Sequence, residues 1–165
     1  MAKAPLRRLA WAFAAVLAAS ACSGVDAKTA TFGTLTEARP AIEQGWIPEG
    51  LPSRSYELRA AYVPGSWERW GIINFPAESS AELRGLLEPT EISLAGVRCE
   101  IPGRIEWWPV QLRQHLDAER IAATGAKAYR SRSGKLIWVV NWTQGRAYYW
   151  STRPEQPVTP KRRGA

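Results

Sequence analysis

The stretch Leu136-Ile137-Trp138-Val139-Val140-Asn141-Trp142 most limits how this chain can fold. Leu136, Trp138, Val140 and Trp142 share one face of an extended segment, and Ile137 and Val139 share the other. A strand that is apolar on both faces reads as the centre of a sheet. One face can take a helix. The other is either covered by a further element or left as a docking surface. Ala126 to Ser131 and Arg146 to Trp150 read as flanking strands, with turns at Ser133-Gly134 and Thr143-Gln144-Gly145. A three-residue second loop pairs Trp142 with Arg146, Val140 with Tyr148 and Trp138 with Trp150. That register places a cation–π contact and an aromatic pair on one face, each contributing about 0.2–1 kcal/mol.

Upstream, Tyr56 to Val63 and Trp67 to Phe75 read as strands about the turn Pro64-Gly65-Ser66. Ser79 and Glu82 have capping-box spacing before Leu83, Leu86 and Leu87, and Pro89 ends that helix. Glu37 to Gln44 predicts a short helix with Pro40 in its first turn. Ile92 to Ile101 reads as extended, interrupted at Gly96. Pro109 suits the start of a helix whose face is Leu112, Leu116 and Ile121, split by Asp117 and closed at Gly125. The expected fold class is α+β. It has an antiparallel sheet of four to five strands, two to three helices mainly on one side, and the C-terminal meander. The segment Gly45 to Pro52, with two prolines and two glycines, is expected to wrap a sheet edge.

The N-terminus carries an address. Lys3, Arg7 and Arg8 precede an uncharged apolar run, Leu9 to Ala19, too short for the roughly 20 residues of a spanning helix. Ala19-Ser20-Ala21 then fits a signal-cleavage pattern, and with Cys22 it resembles the lipobox of bacterial lipoproteins. Residues 1–21 are therefore expected to be a signal peptide, 22–36 a polar tether, 37–151 one α+β domain and 152–165 a basic, Pro-rich tail. Two fates are open to Cys22: lipidation, which the sequence favours and which leaves Cys99 alone, or a disulfide to Cys99 in an oxidising compartment.

Gly45-Trp46-Ile47-Pro48-x-x-Leu51-Pro52, a Trp-bearing strand ending Asn74-Phe75, and a closing Arg146-Ala147-Tyr148-Tyr149-Trp150 resemble a set of small bacterial envelope lipoproteins. The resemblance implies an envelope lipoprotein. It brings no known activity and no functional residues to carry over. If the sorting rule of such lipoproteins applies, Ser23 after the cysteine implies the periplasmic face of the outer membrane in a Gram-negative cell.

Charge argues against nucleic acid as a partner. The formal charge of +7 resides mostly in the two ends, and the body from Cys22 to Trp150 is only +1. The single histidine, two separated cysteines and two aspartates do not make a metal site, and no phosphate-cradling glycine motif or nucleophile elbow is present. No cofactor is expected. The weak catalytic candidates are a Cys99–His115 pair, which requires the two to meet in space, and Glu106 beside Trp107-Trp108, since glycosidases work with carboxylates and sugars stack on tryptophan. Cys99 otherwise reads as a core thiol, His115 as a solvated residue on a helix, and the adjacent tryptophans as one core and one rim residue. Eight of the nine tryptophans follow Cys22. The leading expectation is a non-catalytic binding module, tethered to the membrane through lipid on Cys22. It would hold an envelope protein or glycan on a face made of Trp107, Trp138, Trp142, Arg146 and Trp150. The alternatives are an envelope hydrolase acting on peptidoglycan or acyl groups, and a structural or assembly factor.

Overall fold

The computed structural model describes residues 26–103 and 105–153. The signal segment, Cys22 and most of the basic tail lie outside the described residues. In chain order the elements are β1 (Lys28–Thr34), α1 (Leu35–Glu43), β2 (Tyr56–Tyr62), β3 (Arg69–Asn74), α2 (Ser80–Leu86), β4 (Leu87–Glu91), β5 (Arg98–Cys99), β6 (Gln114–His115), α3 (Ala118–Ala123), β7 (Lys127–Ser131), β8 (Leu136–Asn141) and β9 (Arg146–Ser151). Seven of the strands form one antiparallel sheet in the order β1-β2-β3-β9-β8-β7-β4, and β5 pairs with β6 separately. The fold is α+β with the expected C-terminal meander, and the main sheet is larger than expected.

β8 has apolar residues on both faces because both are covered. On one face Trp138 and Val140 pack with Ala38 and Ala41 of α1, Leu83 of α2, and Ile47 and Leu51. On the other, Ile137 and Val139 pack with Trp108, Leu112 and Ile121 from the segment between β4 and β7. Each large side chain fully buried in these layers contributes about 1.5–3 kcal/mol. Helices thus sit on both faces, α1 and α2 on one and α3 on the other. Gly45 to Pro52 lies over the first face instead of wrapping an edge, with Ile47 and Leu51 in the core.

Several local expectations change for identifiable reasons. Residues 28–34, expected in the tether, form strand β1, because Phe32 and Leu35 reach the core cluster. The signal that opens α1 is Thr34-x-x-Glu37. Thr34 Oγ1 accepts from Glu37 N at 3.3 Å, and the Glu37 carboxylate reaches back to Gly33 N at 2.8 Å. Pro40 therefore falls beyond the first turn. Ser79 occupies the position before α2 but makes no capping bond with its side chain. Glu82 instead accepts from Ser53 N at 2.7 Å and Ser53 Oγ at 3.3 Å, tying the Pro-rich segment to α2. Pro89 lies in β4, an edge strand where a missing N–H is tolerated. The strand expected over 92–101 shrinks to β5, and the helix expected after Pro109 is one short 3-10 turn, Val110–Leu112. Asp117 does not split a helix but caps one: its side chain accepts from Arg120 N at 3.0 Å at the start of α3.

The β8–β9 register is offset by one residue from the expected one. Asn141 pairs with Arg146, Val140 with Ala147, Trp138 with Tyr149 and Ile137 with Trp150. The loop has four residues because Asn141 Oδ1 accepts from Gln144 N at 3.0 Å, closing the turn before Trp142 can join the ladder. Gly145 then adopts φ +62, and its carbonyl accepts from Phe75 N at 2.8 Å.

Candidate ligand cleft

The sequence-predicted residues do not converge. A one-residue offset sends alternate side chains to opposite faces. Trp138 therefore lies in the α1/α2 layer, and Trp150 lies in the opposite layer, edge-on to Trp108 with centroids 6.3 Å apart. Trp138 is 0% exposed and Trp150 3%. Trp142 is half-buried on the Trp138 face, covered by the Arg84 guanidinium at 3.9 Å, with its Nε1–H donating to Tyr129 Oη. Arg146 donates to Asn74 Oδ1 at 2.8 Å. Of the adjacent tryptophans, Trp108 is core and donates to Leu112 O at 2.8 Å, while Trp107 is half-buried beside it. The five do not make one surface.

The weak catalytic candidates fare similarly. His115 lies on β6, not on a helix, and pairs with Arg98, while Cys99 pairs with Gln114. Cys99 is 1% exposed in the second core layer and His115 is exposed. Burial pushes the Cys99 thiol well above its ordinary range, away from the thiolate a nucleophile needs. Glu106 is exposed. Among the described residues no group of three or more His, Cys, Asp or Glu could hold a metal.

A different site appears on the α1/α2 face, at the end of the sheet where β3 and β8 begin and β9 ends. There the Pro-rich segment, the end of α2 and the β7–β8 turn leave a cleft of about 580 Å³, within the size range of small-molecule sites. Its floor is Trp138 and Tyr149, whose rings lie 4.9 Å apart. Ile42, Leu86 and Leu136 supply apolar wall, and Glu49, Arg69, Arg132, Ser133 and Lys135 the polar rim. Gly45 forms part of the wall at φ +73, a left-handed backbone conformation that favours glycine.

Cations outnumber anions in the cleft lining, Arg69, Arg132 and Lys135 against Glu49. Trp138 Nε1–H is buried with no hydrogen-bond partner. Leaving a buried donor unsatisfied costs about 1–3 kcal/mol, so such an atom calls for an explanation. Tyr149 Oη donates to Trp46 O across a long 3.4 Å. Burial holds its phenol above the ordinary range, against the pull of Arg69, so the hydroxyl stays protonated. Arg69 is half-buried and forms no ion pair among the described residues. Chemically the arrangement suits a ligand with an acceptor-rich, anionic head and an apolar body. The sequence hid it because the net charge of the body says nothing about where its cations cluster. Ser133 and Tyr149 were visible only as a turn residue and a strand residue.

No protein family, curated protein or solved structure matches this chain.

Proposed function

We propose that this chain is a non-catalytic binding module of the bacterial cell envelope, anchored by lipid on Cys22, whose cleft holds the anionic head of a ligand with an apolar body. The observation that carries the ligand class is the group of cations Arg69, Arg132 and Lys135 lining the cleft, over a layer that holds Trp138 with its buried, unpartnered Nε1–H. A carboxylate or phosphate there would pair the Arg69 guanidinium, and charge-assisted hydrogen bonds are the stronger kind. The envelope address is supported by the apolar run before Ala19-Ser20-Ala21-Cys22 and by the lipoprotein resemblance of the Gly45–Pro52 segment.

Decanoate is a suitable probe, having a carboxylate and an aliphatic body. Titration should move the Trp138 indole N–H resonance, and Arg69→Gln should weaken binding about 10–100-fold, the loss of one charged hydrogen-bonding partner. A Trp138 resonance indifferent to both decanoate and decyl phosphate refutes the ligand class. The anchor is tested separately by intact mass of the membrane-fraction protein. A diacyl or triacyl increment on Cys22 is expected, and an unlipidated mass two hydrogens short, with Cys99 blocked to alkylation, refutes it.

A further inference from the structure

We infer that the end of the sheet carrying Arg69, Arg130, Lys135 and Arg153 is a membrane-facing surface that engages anionic lipid headgroups. These four cations line an open recess of about 760 Å³ with no carboxylate among its described lining residues. None of them has an ion-pair partner among the described residues, whereas Arg54 is paired with Glu78 and Lys127 with Glu91 elsewhere. Trp67, 38% exposed, stands in the same wall. An exposed tryptophan among cations is the side-chain pairing found at headgroup level, where the ring is half in apolar surroundings and the cations meet phosphate.

The recess is held in shape before any ligand arrives. Ser151 Oγ accepts from Arg69 N at 2.8 Å, and Thr152 N donates to Lys135 O at 2.9 Å, so β3, the β7–β8 turn and the outgoing chain are fastened together. It is continuous with the ligand cleft, since Arg69, Ser133, Lys135 and Leu136 line both.

Chain direction gives the independent argument for a membrane over a dissolved anion. Lys28 at the start of β1 pairs with Tyr62, and Tyr62 pairs with Arg69. The N-terminal side of the described chain therefore departs from the same end of the sheet, about 10 Å from Arg69 at two strand spacings. Cys22 precedes Lys28 by only six positions, a reach of at most about 20 Å. The chain after Ser151 leaves from that end too, and its sequence carries Lys161, Arg162 and Arg163. A lipid on Cys22 would hold this cationic end against the bilayer. One acyl signal plus a polybasic surface is the combination that makes peripheral attachment stable. The orientation rests on the proposed anchor, but the headgroup surface can be tested without it.

The test uses the chain from residue 22 onward, which keeps every described element, with Cys22→Ser so that no lipid contributes. Flotation with vesicles of one part phosphatidylglycerol to three parts phosphatidylcholine should carry the protein, and pure phosphatidylcholine vesicles should not. Arg130→Gln with Arg153→Gln should weaken the partition about fivefold for each cation removed. Arg59→Gln with Arg120→Gln, the same loss of net charge at exposed positions outside the recess, should leave it nearly unchanged. Absence of binding to the anionic vesicles overturns the proposal, as does an equal loss in both double variants. Binding of inorganic phosphate at the recess without vesicle binding also overturns it, in favour of a soluble anion. Because the protein tested has no lipid, failure here is distinct from failure of the Cys22 mass measurement.

Discussion

Gly71 and Gly85 allow the same chemical change to be predicted with opposite signs. Gly71 lies on β3 directly across from Tyr149 of β9, and the tyrosine ring is folded over it. A Cβ on Gly71 would sit 2.2 Å from Tyr149 Cζ and 2.3 Å from its hydroxyl oxygen. The ring must therefore leave. It then gives up the contact with Trp138 at 4.9 Å, worth about 0.5–1.5 kcal/mol, and forces the neighbouring core apart at about 1–3 kcal/mol. Alanine recovers about 0.5–1 kcal/mol of backbone entropy relative to glycine within an element. The net effect of Gly71→Ala is a loss of about 0.5–4 kcal/mol, with the cleft floor disrupted as well. Gly85 is on α2, and nothing lies within 4 Å of a Cβ built there. Gly85→Ala should stabilise by about 0.5–1 kcal/mol through helix propensity alone. Urea unfolding of both variants at unchanged slope should show midpoints displaced in opposite directions. A Gly71→Ala midpoint equal to or above that of the parent chain would show that the ring does not occupy that space.

Other outcomes follow from single contacts. Gly145 and Gly134 both have positive φ, but only at Gly145 would a Cβ meet backbone, the Phe75 carbonyl oxygen at 2.1 Å. Gly134→Ala should cost about 1–2 kcal/mol and Gly145→Ala about 2–5 kcal/mol, and equal urea midpoints would contradict the steric argument. Cys99 and Tyr149 are both held protonated by burial. Above the unfolded thiol value, near pH 8.5, the native state binds more protons than the unfolded chain. Stability is therefore complete below that pH and falls above it, by up to about 1.4 kcal/mol per pH unit per group. Cys99→Ala should delay the onset of that decline toward the tyrosine range near pH 10, and an unchanged alkaline profile would remove Cys99 as its cause. Asp117→Ala should lower stability by about 1 kcal/mol through loss of the α3 cap, seen in the same urea assay.

What could be read in advance followed the strength of the local signal. The two-faced pattern of β8 identified a central strand, and its two faces are indeed separate core layers. The offset against β9 was not legible, because it turns on the Asn141 side chain closing the loop, a contact that residue spacing does not distinguish from a three-residue turn. That single offset decides whether Trp138 and Trp150 share a face, and so it dissolved the expected aromatic patch. The segment from 92 to 126 carries little periodicity because it covers a sheet face with short turns, the β5–β6 pair and a six-residue helix. The cleft was the least visible feature. Its donors come from β3, β8, β9 and the β7–β8 turn, and only the sheet order brings Arg69 beside Tyr149 and Lys135.

The two outer strands of the sheet are not equivalent. Among the described residues, β4 bounds one side. There Pro89 removes a donor, and a register irregularity between Leu87 and Glu91 bends the outer row of peptide groups. β1 bounds the other side with seven residues, Lys28–Thr34, no proline, and a regular antiparallel register to β2 from Lys28 through Phe32. Its outward N–H and C=O groups form a straight template for hydrogen bonding. Any extended chain that joins this sheet, whether a second copy in an aggregate or a segment of a partner, therefore adds at β1. Substituting proline at an outward-facing position of that strand is the direct way to keep concentrated preparations monomeric.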